Sequence, residues 1–577
     1  MQAGSGADNA ESLYHRELLM GGEDAPLHTI DHALAFLEPF VATMPPRQFF
    51  ARLGKAAQGL VRQRIHQVWP DSDADQDASD DCIDGALAKA TQHFRLVPFR
   101  HFLSGLSERE RGEIVKIALR LMAERFDPHA LSRYLRAYAA FDLGKAVDGP
   151  ETLDALMRDL AASRYADFVA AVNGAAREQR TIVFVSSRTD YKPLRLSIAL
   201  RRKGYRTFFI GLDRQPPDIQ DLFHREFDAA VILPFVPTLL KGLLESLHPH
   251  VFHVQCAMLY YYLGRMADEA KGDAICTAEF NDITSYFLSR DALNRFFGKP
   301  VVDLDWSCEA YACNHADIVL HQWAEGFADQ WRIRHGGLAR VLEMQPHPVA
   351  TWLPEDPEPS PTNDPPRLVW AGQVPGRLSC PPDFNDGYYL GEAVEQLLEQ
   401  GMAIDIFQNP MHIAQFKDPN LRFYGDLMDR FPLFRAMAGV RPDLLARTLA
   451  GYDFGLLLFD IDFDKSSATP EKNIFMLTNK LYTYIEAGLP ILVNKEYPFM
   501  ANFVETNGLG LTFFSHEIRD AGPRIRAFDR VACVERVRAY RARHMMEDEV
   551  DALIAAHDDA FRARGLSAPA TSRGTPS

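Results

Sequence analysis

The sequence predicts an α/β protein with two parallel β-sheets that face each other across a cleft, preceded by an N-terminal helical domain. Short apolar runs alternate with helical segments over residues 176–350. The alternation stops in a proline-crowded segment, residues 345–366, and restarts over residues 366–528. Because strands that alternate with helices form parallel βαβ units, each of the two stretches predicts one sheet.

The first 175 residues have a helical texture instead. Ser107 and Glu110 form a capping-box pattern, and apolar residues behind them recur on one helical face. No catalytic pattern occurs in this region. We interpret residues 1–175 as a helical accessory domain and expect a protein partner, if there is one, to bind there.

Composition restricts the class of protein. The 577 residues carry 62 Lys and Arg against 78 Asp and Glu, a net charge of −16. A nucleic-acid binder needs a cationic surface, so we expect no nucleic-acid partner. No stretch reaches the roughly 18 apolar residues of a membrane span, and the N-terminus lacks the basic-then-apolar order of a signal peptide. We therefore expect a cytoplasmic protein without a transmembrane segment.

The first predicted domain, residues 176–350, opens on a continuous apolar run at 181–185, as a strand buried on both faces requires. Helices are expected at 193–203 and 238–247. The other expected strands lie at 207–212, 229–233, 251–255, 274–280, 317–321 and 339–344.

The second predicted domain, residues 366–528, repeats this pattern. Its strands are expected at 367–372, 403–407, 421–425, 454–459, 490–493 and 511–514, and its helices at 388–400 and 442–450. Within residues 529–565 we expect one long helix, 531–556, that packs back on the first domain. Residues 566–577 are rich in Ser, Pro and Gly and predict a disordered tail.

The most informative segment is Asn-Lys-Leu-Tyr-Thr-Tyr-Ile-Glu-Ala-Gly-Leu-Pro-Ile-Leu-Val, residues 479–493. It predicts a loop, a short helix, a glycine stop and a buried strand. Lys480 would add a cation to the N–H groups that open the helix, which suits a diphosphate. The alternative is that Lys480 is a solvated surface lysine.

This segment resembles the nucleotide-sugar half of retaining glycosyltransferases of the B-type fold, the family-four-like group. The segments 368–373, 421–425 and 451–458 are similar to that family's strands in order and spacing. In the first half, 203–205, 248–253 and 316–320 match in the same way. The resemblance covers roughly residues 180–520. It implies two Rossmann-like domains, a nucleotide-diphosphate sugar as donor, and a glycan, lipid-linked or protein acceptor, with neither a cofactor nor a metal.

The resemblance also implies where the site lies. The donor would be bound by the second domain, through Gly372, Gln373, Arg377, Asp460, Asn479, Lys480, Thr483 and Glu486. Catalytic roles would fall to the first domain, through Arg188, Asp190 and Asp282. A competing interpretation of the Asp-x-Asp pair that begins at Asp460 is a Mg²⁺ or Mn²⁺ site.

The chain departs from the family's pattern at its carboxylates. The family often carries two Glu residues eight positions apart, where this chain has Phe475 and Thr483, and Gln373 stands where a basic residue is usual. Two alternatives to a glycosyltransferase therefore stay open. One is a catalytically inactive B-type-fold protein that binds or scaffolds, and the other is an epimerase, which would need carboxylates and a His in the cleft.

Overall fold

The computed structural model describes only part of the chain. The described residues are 158, 161–162, 165–187, 191–212, 217–233, 237–258, 260–297, 299–337, 340–356, 358–372, 374, 390–408, 422–461 and 468–567. Most of the predicted helical domain, including Ser107 and Glu110, lies outside these residues, as does the tail from 568 onward.

The first sheet has seven strands in the described ranges, and every pairing between them is parallel. The strand order across the sheet is β3-β2-β1-β4-β5-β6-β7. The strands are β1 (Thr181–Ser186), β2 (Arg206–Gly211), β3 (Ala229–Ile232), β4 (Val251–Cys256), β5 (Ile275–Phe280), β6 (Ile318–His321) and β7 (Arg340–Glu343).

Helices connect these strands and cover both faces of the sheet, which is why β1, β4 and β5 are buried along their whole length. They are α1 (Ala166–Glu178), α2 (Tyr191–Arg202), α3 (Pro217–Glu226), α4 (Pro237–Ser246), α5 (Tyr262–Ala270), α6 (Thr284–Phe287), α7 (Arg290–Phe297), α8 (Lys299–His315) and α9 (Phe327–His335).

The second sheet is also wholly parallel, with the order β10-β9-β8-β11-β12-β13. Its strands are β8 (Arg367–Ala371), β9 (Ala403–Gln408), β10 (Phe434–Ala438), β11 (Phe454–Leu457), β12 (Ile491–Asn494) and β13 (Gly510–Phe513). Two separate parallel sheets, each flanked by helices, confirm the predicted fold class of two Rossmann-like domains.

The remaining helices lie between Gly391 and Ala563. They are α10 (Gly391–Glu399), α11 (Arg422–Arg430), α12 (Pro442–Leu449), α13 (Pro470–Phe475), α14 (Asn479–Ala487), α15 (Pro498–Asn507), α16 (Gly522–Arg526), α17 (Arg530–Arg543) and α18 (Met546–Ala563). Two short 3₁₀ helices lie at Ala350–Trp352 and Ser515–Asp520. None of the helices in the described ranges combines the length and the apolar character needed to cross a bilayer.

One predicted strand is wrong. The segment 421–425 was expected to be extended, but residues from Arg422 onward form α11. Tyr424 and Leu427 are its buried residues, and their spacing of three is helical rather than alternating. The strand at this place in the sheet is β10, which the sequence analysis did not predict and which pairs with β9.

The predicted long helix, 531–556, is two helices. Helix α17 ends at Arg543, and Met545 is extended, with φ −97° and ψ 142°. Helix α17 packs on the second domain through residues such as Val537 and Tyr540. Helix α18 packs against the core of the first domain, where His557 Nε2 lies 3.1 Å from Thr277 Oγ1. The break is needed because the two helices bury their apolar faces in different domains.

Candidate functional site

The second sheet has a switch point between β8 and β11, which are neighbours in space although β9 and β10 lie between them in sequence. Ligands of open parallel sheets bind beyond the carboxyl ends of the strands at such a point. The two strands pair only near their starts, and Tyr484 then inserts between them. Its hydroxyl accepts from the Ala371 N–H at 3.2 Å and donates to the Leu456 carbonyl at 3.3 Å.

Gly455 of β11 makes room for this tyrosine. A Cβ at Gly455 would lie 2.3 Å from the Tyr484 ring. We therefore expect Gly455→Ala to lower the free energy of unfolding by about 1–3 kcal/mol, as overpacked cores do, measured by urea denaturation. Gly174→Ala is the control, because nothing lies within 4 Å of its Cβ in α1 and alanine stabilises a helix interior by about 0.5–1 kcal/mol. Equal stability of the two variants would contradict the tight packing of Tyr484 against Gly455.

Lys480 lies at the same switch point. Its Nζ is 4.7 Å from the centre of the Trp370 ring. Gly372 follows β8 with φ +136°, and a Cβ there would lie 2.6 Å from Lys480 Cε. The lysine thus passes directly over the glycine turn. Only glycine permits both this backbone conformation and this close approach.

The ammonium of Lys480 is half-buried, and this burial lowers its pKa to about 8, although the negative charge of Asp282 acts in the opposite direction. Within the described part of the chain, no hydrogen bond or ion pair to this ammonium is formed. Thr478, which precedes α14, makes no side-chain cap. The N–H groups that open α14 therefore lie beside a cation that makes no ion pair among the described residues, and together they form an anion-binding arrangement.

The first domain carries the predicted catalytic residue Asp282, which follows β5 and is exposed. Behind it lies a buried network in which Glu279 Oε2 is 3.0 Å from His253 Nε2 and Glu279 Oε1 is 3.7 Å from Lys192 Nζ. Burial alone would raise the pKa of Glu279, but the hydrogen bond from His253 and the charge of Lys192 outweigh it and hold that pKa below its ordinary value. Lys192 also donates to Asn281 Oδ1, so the segment that carries Asp282 is held in place.

Of three other predicted donor-binding residues, Asp460 and Thr483 use their side chains in contacts within the protein. Asp460 accepts from the backbone N–H groups of Glu392 at 2.7 Å and Ala393 at 2.6 Å, so its carboxylate lies at the N-terminus of α10. Thr483 donates to the Asn479 carbonyl of its own helix at 3.4 Å. Asn479 opens α14, and its buried Oδ1 finds no partner among the described residues.

Glu486 is directed away from Lys480. It follows Lys480 by six residues, about 240° around the helix. Its carboxylate is 1 % exposed and lies 2.7 Å from Arg195 Nη2 of the first domain. The second oxygen accepts from the Val349 N–H at 3.1 Å. The structure therefore places Glu486 at the junction between the domains and does not bring it together with Lys480.

Four predicted site residues, Arg188, Asp190, Gln373 and Arg377, lie outside the described residues. So do the acidic residues that follow Asp460 in its Asp-x-Asp run. Among the residues that are described, no group of three His, Cys, Asp or Glu side chains is arranged to hold a metal ion.

Sequence reasoning missed Trp370 and Tyr484 as parts of this site. Trp370 contacts the lysine, and Tyr484 holds the switch point open. The only signals in the sequence were positional: Trp370 stands two residues before the glycine turn, and Tyr484 stands four residues, one helical turn, after Lys480.

Comparisons with known proteins give distant likenesses only. No protein-family model and no curated protein matches the chain. An O-GlcNAc transferase mutant from Thermobaculum terrenum matches with 14% identity and a TM-score of 0.41, over 93% of this chain and 98% of that one. An α,α-trehalose 6-phosphate synthase from Burkholderia multivorans matches with 12% identity and a TM-score of 0.43, over 67% of this chain and 98% of that one. A UDP-GlcNAc 2-epimerase from Neisseria meningitidis matches with 9% identity and a TM-score of 0.34, over 66% of this chain and 99% of that one. Likenesses at this level do not bear on activity.

Proposed function

We propose that this protein is a glycosyltransferase that moves a sugar from a nucleotide-diphosphate sugar to a glycan, lipid-linked or protein acceptor. One observation carries the proposal. The half-buried ammonium of Lys480, which makes no ion pair or hydrogen bond among the described residues, lies beside the Gly372 turn and an uncapped helix N-terminus. The colinear sequence resemblance to B-type-fold glycosyltransferases supports the same assignment.

A diphosphate fits this arrangement for electrostatic reasons. A partly desolvated ammonium is costly to keep unless an anion offsets it. Negative charge develops on the leaving diphosphate as the sugar–phosphate bond breaks, and preorganised cations and N–H dipoles stabilise that charge. Lys480 and the N–H groups of α14 would supply both, so the reaction as proposed uses no metal.

The acceptor would enter from the first domain. Asp282 is an exposed carboxylate of the first domain, and its negative charge acts on the Lys480 ammonium. In the proposed reaction Asp282 takes the proton of the attacking acceptor group, as a general base. Lys192 and Asn281 would position the segment that carries it.

Binding of nucleoside diphosphates tests the proposal. We expect isothermal titration to detect binding of at least one nucleoside diphosphate by the wild type and a 10- to 100-fold weaker affinity for Lys480→Met, the range for a lost charge-assisted hydrogen bond. Methionine is chosen because it removes the charge without placing a carboxylate at a half-buried position. Lys241→Met is the control, since Lys241 pairs with Glu245 on α4. Equal affinities of all three proteins would remove Lys480 from the site.

A second candidate function is ligand binding without transfer. It is favoured because α14 offers no free carboxylate for catalysis. Thr483 stands at the family's Glu position, and the carboxylate of Glu486 is paired with Arg195. Release of nucleoside diphosphate from a panel of nucleotide sugars separates the two functions. Binding without any release, in the presence of glycan, lipid-linked and peptide acceptors, would identify a binding module rather than a transferase.

A further inference from the structure

The side-chain amide of Gln408 lies beside the Gly372 turn. Gln408 is the last residue of β9, and the Gly372 N–H donates to the carbonyl of the preceding residue, Phe407, at 3.0 Å. Neighbouring strands are about 4.8 Å apart, so Gln408 stands one strand beyond the glycine turn, on the side opposite Lys480. The side chain is 1 % exposed.

Hydrogen bonding determines the orientation of this amide. The Val374 N–H donates to Gln408 Oε1 at 2.9 Å, and because a backbone N–H can only donate, the atom that faces it must be the carbonyl oxygen. The NH₂ group is therefore turned away from Val374. Its nitrogen is buried and has no hydrogen-bond partner among the described residues, although a buried donor left unpaired destabilises a protein.

Gln400, which precedes the amino end of the same strand, shows the contrast. Its Nε2 donates to the carbonyls of Gln396 and Ile518 at 2.8 Å each, and its Oε1 accepts from the Gly522 N–H at 2.6 Å. The half-buried amide of Gln400 is thus fully paired, whereas the buried amide of Gln408, at the carboxyl end of β9 where ligands of parallel sheets bind, keeps a donor without a partner among the described residues.

We infer that Gln408 selects the nucleobase of the donor by donating a hydrogen bond to a base carbonyl. The inference rests on the proposed function, with the diphosphate at Lys480 and the nucleoside running over Gly372 toward β9. Uracil O4 and guanine O6 accept hydrogen bonds at the positions where cytosine and adenine carry NH₂ donors. An amino group that faces the NH₂ of Gln408 would leave two donors unpaired, so the site takes uracil or guanine and rejects cytosine and adenine.

Titration with UDP, CDP, GDP, ADP and inorganic pyrophosphate tests this selection. We expect the wild type to bind UDP at least tenfold more tightly than CDP, or GDP at least tenfold more tightly than ADP, since a site built to hydrogen-bond a group rejects the analogue that lacks it. A preference within the UDP and CDP pair would identify the base as uracil, and a preference within the GDP and ADP pair would identify it as guanine. Gln408→Met, which cannot donate, should lose the ratio and keep its affinity for pyrophosphate, whereas Gln400→Met should keep the ratio.

The failures of the two proposals are distinguishable. A wild type that binds neither nucleoside diphosphates nor pyrophosphate refutes the proposed function. A wild type that binds them without base preference, or a Gln408→Met variant that retains the preference, overturns the inference about Gln408. Should Gln408→Met no longer bind pyrophosphate, Gln408→Glu decides: it keeps an acceptor for Val374 and replaces the donor by an acceptor. Its ratio should shift toward CDP or ADP, and an unchanged ratio would overturn the inference.

Discussion

Replacing Arg195 by methionine is expected to lower the free energy of unfolding by about 3–5 kcal/mol, the cost of leaving a buried charge without its partner. Arg195 and Glu486 are 2 % and 1 % exposed, and their charged atoms lie 2.7 Å apart across the domain junction. Arg195 Nη1 also donates to the carbonyls of Pro346 and His347, at 2.8 Å each. One side chain therefore joins the first domain, the proline-rich segment 345–366 and α14. Urea denaturation should detect the stability lost when this side chain is replaced.

The stability lost in Arg195→Met should depend on pH and on the presence of Glu486. Burial already raises the pKa of Glu486, and Arg195 opposes that shift. Without Arg195 the pKa rises further, so the folded variant binds more protons than the unfolded chain, and the deficit shrinks as pH falls through the raised pKa. The double variant Arg195→Met/Glu486→Leu should recover most of the stability.

An exposed ion pair provides the control for this series. Arg332 and Asp329 are paired on α9 with 55 % and 72 % of their side chains exposed, and Arg332→Met should cost under about 1 kcal/mol. A deficit of similar size for Arg195→Met, or a double variant that is less stable than the single one, would show that the buried pair does not hold the domains together.

Lys480→Met is expected to stabilise the free protein while it weakens ligand binding. The pKa of Lys480 is lowered to about 8, from an ordinary value of 10.5. Between those values the unfolded chain binds more protons than the folded one, so the stability of the wild type rises with pH across this window. Below pH 8 the charged lysine costs up to about 3 kcal/mol, and methionine removes that cost. The gain should vanish above about pH 10.5.

Thermal unfolding between pH 7 and pH 10.5 measures this effect. Adding a nucleoside diphosphate at pH 7 should raise the unfolding temperature of the wild type more than that of Lys480→Met, because the stabilisation grows with the ratio of ligand concentration to Kd. Lys241→Met should behave as the wild type at every pH. A Lys480→Met protein that is less stable than the wild type at pH 7 would contradict the burial cost on which this expectation rests.

Twelve of the thirteen strands in the described ranges were predicted, and those buried along their whole length, such as β1, β4 and β5, carry the continuous apolar run that burial on both faces needs. The exception, β10, lies at the edge of its sheet, and of its five residues only Phe434 is buried. Arg435 interrupts its apolar run, and the sequence pattern predicted the strand at the neighbouring residues 421–425 instead. Likewise, no local signal marks the break at Met545, since the residues on either side of it form helices.

The sequence by itself determined that there are two parallel sheets, that a proline-rich segment divides them, and that Lys480 stands at a helix N-terminus. These features depend on local periodicity and on turn chemistry, which short segments contain in full. Only the tertiary structure decided that Glu486 pairs with Arg195, that Tyr484 holds the switch point open over Gly455, and that Gln408 keeps a spare donor. Each of these depends on a contact between segments far apart in sequence, and the direction in which a side chain finds its partner is set by the packing of whole helices and strands.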